Sequence, residues 1–269
     1  MKKLIAIDLD GTTLNTDSQV SPRTAAVLEK AKRAGHTVTI ATGRPYRMSE
    51  HIYSQLKLTS PMINFNGALI HLPHQVWSGE LETLINRDIA FEILAQKQQL
   101  NLDFVAAENK NSFYIDTLDN FDGNFFASEK ASEKNILSAK NMTTNPNSLL
   151  LRVNNPDSLS VSEQLVKDYG DYVEVNTWGG PNPILEVVAK GIQKAKGVSH
   201  VADLLGFQQE DIIAFGDEHN DVEMLDYAGW GVAMANGTDQ VKAVANDVTE
   251  KTNGEDGLAD YLEKYLELN

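Results

Sequence analysis

Leu4-Ile5-Ala6-Ile7-Asp8-Leu9-Asp10-Gly11-Thr12-Thr13-Leu14 is the stretch on which the reading of the fold turns. Four consecutive apolar residues run into two acids and a glycine. A run that is apolar on both faces suits a parallel strand covered by helices on each side. Downstream, Ser21-Pro22 pairs an N-cap with a proline at the first helical position, and Gly35 closes the helix. Between them Val27, Leu28, Ala31 and Ala34 recur at helical spacing. Thr37 to Ala41 predicts a second strand, ending at Thr42-Gly43-Arg44-Pro45 before another helical stretch. This alternation is the pattern of an α/β protein with a doubly wound, mainly parallel sheet. Pro61 to Phe65 is a third apolar run, turned by Asn66-Gly67.

Beyond about residue 82 the periodicity changes. A helix near Asp88 to Leu100 precedes alternating runs at Phe104–Ala106, Ser112–Asp116, Leu149–Val153 and Tyr172–Thr177, with a helix around Ser158–Tyr169. Alternation between turns rich in Asn, Gly and Pro predicts a half-exposed, mainly antiparallel sheet with helices on one face. The first pattern then returns. Val198, Val201, Ala202 and Leu205 form one helical face stopped by Gly206, and Ile212 to Phe215 and Gly231 to Met234 read as buried strands. The expected organisation is a discontinuous α/β core, residues 1–81 and 187–269, carrying an inserted α+β domain at 82–186.

Composition narrows the function. The chain of 269 residues is 42% hydrophobic, ordinary for a globular protein able to bury a core. Lysine and arginine total 23 against 38 acids, a formal net charge of −15. Such a chain repels phosphate backbones and anionic lipid, and it has no basic cluster, so neither nucleic acid nor membrane is an expected partner. The absence of cysteine removes disulfides, thiolate metal sites and cysteine nucleophiles. No apolar stretch approaches a membrane span, and a cytoplasmic location is expected.

In an open parallel sheet, ligands bind beyond the carboxyl ends of the strands. Asp8 and Asp10, Thr42 and Gly43, and Asp217 all fall there, so three strands deliver carboxylates and a hydroxyl to one edge. Asp8 and Asp10 are two apart; such a pair alone also reads as a solvated turn. If they are close, they repel unless a proton or cation lies between them. With Asp217 they offer hard oxygen ligands suited to Mg²⁺.

The residues Asp8-Leu9-Asp10-Gly11-Thr12-Thr13, Ile40-Ala41-Thr42-Gly43-Arg44-Pro45, Lys194 and Gly216-Asp217-Glu218-His219-Asn220-Asp221 resemble, in order and spacing, the four motifs of the haloacid dehalogenase superfamily. The insertion between the second and third motifs resembles the type IIB cap of its Cof-like, sugar-phosphatase-like hydrolases, as do Asn66-Gly67-Ala68 and Gly254-Glu255-Asp256-Gly257. One departure is Ala195, where glycine often follows the motif lysine.

The resemblance implies a Rossmannoid core, a cap that closes over substrate, and a Mg²⁺-dependent hydrolase of small phosphorylated metabolites, with sugar phosphates foremost. It further implies Asp8 as the nucleophile forming an aspartyl-phosphate, and Asp10 as the general acid and base. Leu9, Gly43 and Thr42 would bind phosphate, Lys194 would serve both the phosphate and the Asp8 carboxylate, and Asn220 would donate to the phosphate or hold Lys194, with Arg44 an added candidate that reads equally as a partner of surface acids. Asp8, Asp217 and the Asp10 carbonyl oxygen would hold the metal, with Asp221 supporting it from behind. Lys190 competes with Lys194 for the third motif. Arg47 and the Trp178-Gly179-Gly180-Pro181 loop are further candidates for ligand contact. A phosphomutase of the same superfamily is the alternative enzyme, and a non-catalytic phosphometabolite-binding regulator the alternative of another class. The assembly is expected to be a monomer or small homo-oligomer.

Overall fold

A computed structural model describes residues 2–119, 121–123, 126, 131–154, 158–177 and 184–268. In chain order its first elements are β1 (Leu4–Ile7), α1 (Pro22–Arg33), β2 (Thr37–Ile40), α2 (Tyr46–Gln55), β3 (Met62–Asn64), β4 (Leu69–His71) and β5 (Leu81–Glu82). There follow α3 (Arg87–Ala95), β6 (Leu102–Glu108), β7 (Phe113–Ile115), β8 (Ser148–Val153), α4 (Ser158–Tyr169), β9 (Val173–Thr177) and β10 (Ile184–Ala189). The last are α5 (Lys194–Leu205), β11 (Ile212–Gly216), α6 (Val222–Tyr227), β12 (Trp230–Ala233), α7 (Asp239–Val244), β13 (Asp247–Val248) and α8 (Gly257–Tyr265). They fall into two compact units. One comprises Met1–Arg44, Ser49–Leu81 and Gln193–Asn269; the other comprises Pro45–Met48 and Glu82–Ile192.

The first unit is the α/β protein that the opening run predicts. Its main sheet has the order β13-β12-β11-β1-β2, parallel throughout. The central strand β1 pairs Leu4 with Ile212 and Thr37, and Ile7 with Phe215 and Ile40. All four of its residues are buried, because a middle strand is covered on both faces. Leu4, Ala6, Ile212 and Ala214 pack with Val198, Val201 and Ala202 of α5 and with Met224 of α6. On the opposite face Phe215 meets Tyr261 of α8 edge-on, ring centroids 5.6 Å apart. A parallel bridge between Ala41 and Ile63 carries the sheet direction on to β3. Helix α1 starts as its sequence dictates: the Ser21 hydroxyl accepts from the Thr24 N–H, and Pro22 follows at N1.

The second unit holds an antiparallel sheet of order β7-β6-β8-β10-β9. Val105, Ala107, Leu149, Leu151, Leu185 and Val187 alternate onto one face and pack against Ile89, Ile93 and Leu165 of α3 and α4. The other face carries Phe104, Phe113, Leu150 and Ile184 clustered with Phe126, whose ring stacks on Phe113 at 4.8 Å. Residue 187, where the sequence suggests a return to the core, lies inside β10. That strand is hydrogen-bonded between β8 and β9, so this unit continues to Ile192. The Trp178–Pro181 loop lies outside the described residues.

Candidate active site

The first unit gathers its chemistry where β1 and β11 end. Beyond Ile7 the chain turns sharply. Gly11 adopts φ +72°, the Leu14 N–H donates to the Leu9 carbonyl at 2.8 Å, and the Thr13 hydroxyl donates to the Asp8 carbonyl. Asp10 is therefore not a continuation of the strand. Asp8 is 5% exposed, whereas the Asp10 side chain is 57% exposed, so the two acids occupy different environments.

Asp8 instead meets residues from the far end of the sequence. One oxygen each of Asp8, Asp217 and Asp221 lie within 4.8 Å of one another, and all three side chains are buried. Lys194, the first residue of α5 and only 1% exposed, donates through Nζ to Asp8 Oδ1 and Asp221 Oδ1, both at 2.7 Å. Lys190, the competing lysine, binds the Gly170 carbonyl in the other unit. Asp221 has both oxygens engaged: Oδ2 accepts from the N–H groups of Asp217 and Glu218 at 3.0 and 3.1 Å. Asp217 Oδ1 accepts from the Thr12 hydroxyl at 2.8 Å. The second oxygens of Asp8 and Asp217 accept nothing among the described residues.

The electrostatics follow from this packing. Burial pushes the Asp8 carboxyl well above the ordinary range; Lys194 pulls it back, and Asp221 and Asp217 push it further up. Burial likewise raises Asp217, to about 7, against the pull of its Thr12 hydrogen bond. For Lys194, burial works against the charge but is outweighed by Asp221 and Asp8, so the ammonium holds its proton more tightly than a free lysine. Three carboxylates face one ammonium. Two like charges 4 Å apart cost about 4 kcal/mol at an effective dielectric near 20, so the cluster lacks positive charge. Gly11 leaves room for the acids: a Cβ there would lie 2.0 Å from Asp217 Oδ2. Hard oxygens, surplus negative charge and a cleared approach fit a divalent cation such as Mg²⁺.

Thr42 is buried at the end of β2; its N–H donates to Ile63 and its hydroxyl oxygen accepts from the Arg44 N–H at 3.1 Å. A Cβ on Gly43 would sit 3.2 Å from Asn66 Oδ1. Asn66, held at φ +55°, accepts at that same oxygen from Asn220 Nδ2 at 2.9 Å. Asn220 thus ties the fourth motif to Asn66, whose N–H donates to the Thr42 carbonyl at 3.1 Å, while Lys194 is held by the aspartates. Arg44 forms a fork on Asp10, with Nε 2.7 Å from Oδ2 and Nη2 on Oδ1. Arg47 pairs with Glu108 within the second unit, and His219 is an exposed loop residue beside Glu218.

Several residues here escape sequence reasoning. Thr12 reaches Asp217 across 205 positions. Asn236 Nδ2 donates to the Gly11 carbonyl and Asn253 Nδ2 to that of Leu14, both at 2.8 Å, and the two asparagines are linked to each other. Their only sequence signal is an Asn-Gly turn dipeptide at 236–237 and at 253–254.

A family model described as haloacid dehalogenase-like hydrolase matches residues 5–262. The chain is 36% identical, over 98% of its own length and 98% of the relative's, to the 5-amino-6-(5-phospho-D-ribitylamino)uracil phosphatase YitU of Bacillus subtilis. Among solved structures, TM0651 from Thermotoga maritima superposes with a TM-score of 0.83 at 29% identity, covering 98% of this chain and 97% of that one. The subclass IIB sugar phosphatase BT4131 shares the fold, with a TM-score of 0.79 at 21% identity over the full length of both chains.

Proposed function

The chain belongs to the haloacid dehalogenase-like hydrolases and is 36% identical to a phosphatase of that kind, and on that premise we propose that it is a Mg²⁺-dependent phosphomonoesterase of small phosphorylated metabolites, sugar and sugar-alcohol phosphates foremost. The observation that carries this reading is the buried Asp8–Lys194–Asp221 bridge with Asp217 in the same cluster. It supplies a nucleophile, a fixed cation and an incomplete metal shell at one strand edge.

Asp8 Oδ2, the oxygen not taken by Lys194, forms a bond to phosphorus as the ester P–O bond breaks, and Asp10 gives a proton to the departing alkoxide. Water then attacks the phosphorus of the aspartyl-phosphate, passes its proton to Asp10, and the bond to Asp8 breaks to release phosphate. The Thr42 hydroxyl and the N–H groups of Leu9 and Gly43 bind phosphate oxygens. The Lys194 ammonium keeps Asp8 oriented and offsets the charge that accumulates, and Asn220 holds the Asn66 side chain against Gly43. Asp8, Asp217 and the Asp10 carbonyl would hold the ion, with Asp221 behind them because its own oxygens are already bonded. When bound, Mg²⁺ supplies Lewis-acid charge against the phosphoryl oxygens and removes the repulsion between Asp8 and an incoming dianion.

The test is phosphate release from a panel of sugar and polyol phosphates, including the substrate of the Bacillus subtilis relative, with Mg²⁺ or with chelator. Release should require the ion, and Asp8→Asn should lower it at least ~10³-fold with every substrate. In ¹⁸O-water the label should enter free phosphate; isomerised sugar phosphate without labelled phosphate marks a mutase instead. Retained release by Asp8→Asn defeats the covalent route.

A further inference from the structure

We propose that Arg44 is a positioning residue for Asp10, and that Asn64 in turn fixes Arg44 from inside the core. This rests on the role assigned to Asp10 above. The fork engages both oxygens of Asp10 through Nε and Nη2 of one planar group, the geometry that sets a carboxylate's plane as well as its place. An ion pair with one half-exposed member contributes little stability. The structure nevertheless builds a rigid mount for it.

The Arg44 N–H is held by Thr42 Oγ1 at 3.1 Å. Its carbonyl accepts from Asn64 Nδ2 at 2.9 Å and from the Phe65 N–H at 3.4 Å. Asn64 is fully buried and has its amide nitrogen shared with Ser49 Oγ at 2.9 Å. Its Oδ1 therefore accepts, and the facing His71 Nε2, 3.0 Å away and buried, carries the proton. The end of β2 through Thr42 and β3 through Asn64 thus hold the main chain of one arginine, while β4 through His71 and α2 through Ser49 hold Asn64 in turn. A phosphate-binding arginine needs reach; a fork that must aim another side chain needs a fixed root. Asp10 sits on an irregular turn with no strand neighbour, so its aim comes from Arg44.

A double-mutant cycle on the Mg²⁺-loaded enzyme with 4-nitrophenyl phosphate tests this. Arg44→Gln should lower kcat ~10- to 100-fold in the native background, and less than ~3-fold in an Asp10→Ala background, where there is nothing left to aim. The inhibition constant for inorganic phosphate should change less than ~3-fold, and Arg44→Lys, a point charge without the fork, should recover only part of kcat. Asn64→Leu, confirmed folded by its melting curve, should reproduce a weaker version of the Arg44→Gln loss. Equal losses in both backgrounds, or a tenfold weaker phosphate inhibition, would overturn the proposal and make Arg44 a direct phosphate ligand. Activity retained by Asp8→Asn would defeat the catalytic reading itself, a result the cycle does not produce.

Discussion

Asp217 concentrates the site's electrostatics in one side chain. With its carboxyl raised to about 7 by burial, and an unfolded value near 4, the folded chain keeps a proton through a pH range in which the unfolded chain has lost it. The folded state binds more protons there, so stability falls as pH rises from about 4 to 7, and the loss is complete above about 7. Asp217→Asn removes this dependence. In chelator the melting temperature of Asp217→Asn should therefore gain on the native protein by at least ~3 °C between pH 5 and pH 8, the shift that about 1 kcal/mol produces in a chain of this size. A gap that is constant or narrows over that range contradicts the assigned environment. Lys194 is held by the same logic from the opposite sign: its two aspartates more than offset the cost of burying it.

The turn after β1 is where an element decides chemistry. It must leave the strand, present Asp8, and pass beneath Asp217, and only a residue without Cβ does this at position 11. Gly11 and Gly206 share nearly the same left-handed φ, +72° and +77°, but a Cβ at 206 would meet nothing within 4 Å. Gly206→Ala at the end of α5 should cost only about 1 kcal/mol of conformational strain and leave turnover unchanged. Gly11→Ala should pay a similar backbone cost and also displace Asp217, lowering kcat at least ~100-fold. Steady-state kinetics and melting curves on the pair separate the two effects; equal turnover in both variants refutes the steric assignment.

At the scale of the molecule, the two units carry separate cores, one built on β1 and β11 and the other on β6, β8 and β10. The candidate metal shell draws on the first alone. Hydrogen exchange should report this: Mg²⁺ should slow the amides of residues 8–14 and 217–222 while leaving β8 and β10 unaltered. Equal protection in both units, or none in the first, contradicts the placement. A net charge of −15 acts in the same direction, favouring uptake of a cation and opposing a phosphate dianion until that cation is bound.

The apolar run Leu4–Ile7 and the Ser21–Gly35 helix signals were legible because they are local: burial on both faces, a cap and a stop are written in neighbouring residues. The strand-end positions of Asp8, Thr42 and Asp217 were legible for the same reason. Tertiary structure alone decided that Asp8 and Asp10 part company, that Thr12 serves Asp217, that Asn220 binds Asn66, and that Asn64 and His71 stand behind Arg44. Each of those contacts depends on where two distant main-chain segments come to rest. Residue type supplies a donor or an acceptor, but only the folded sheet chooses its partner.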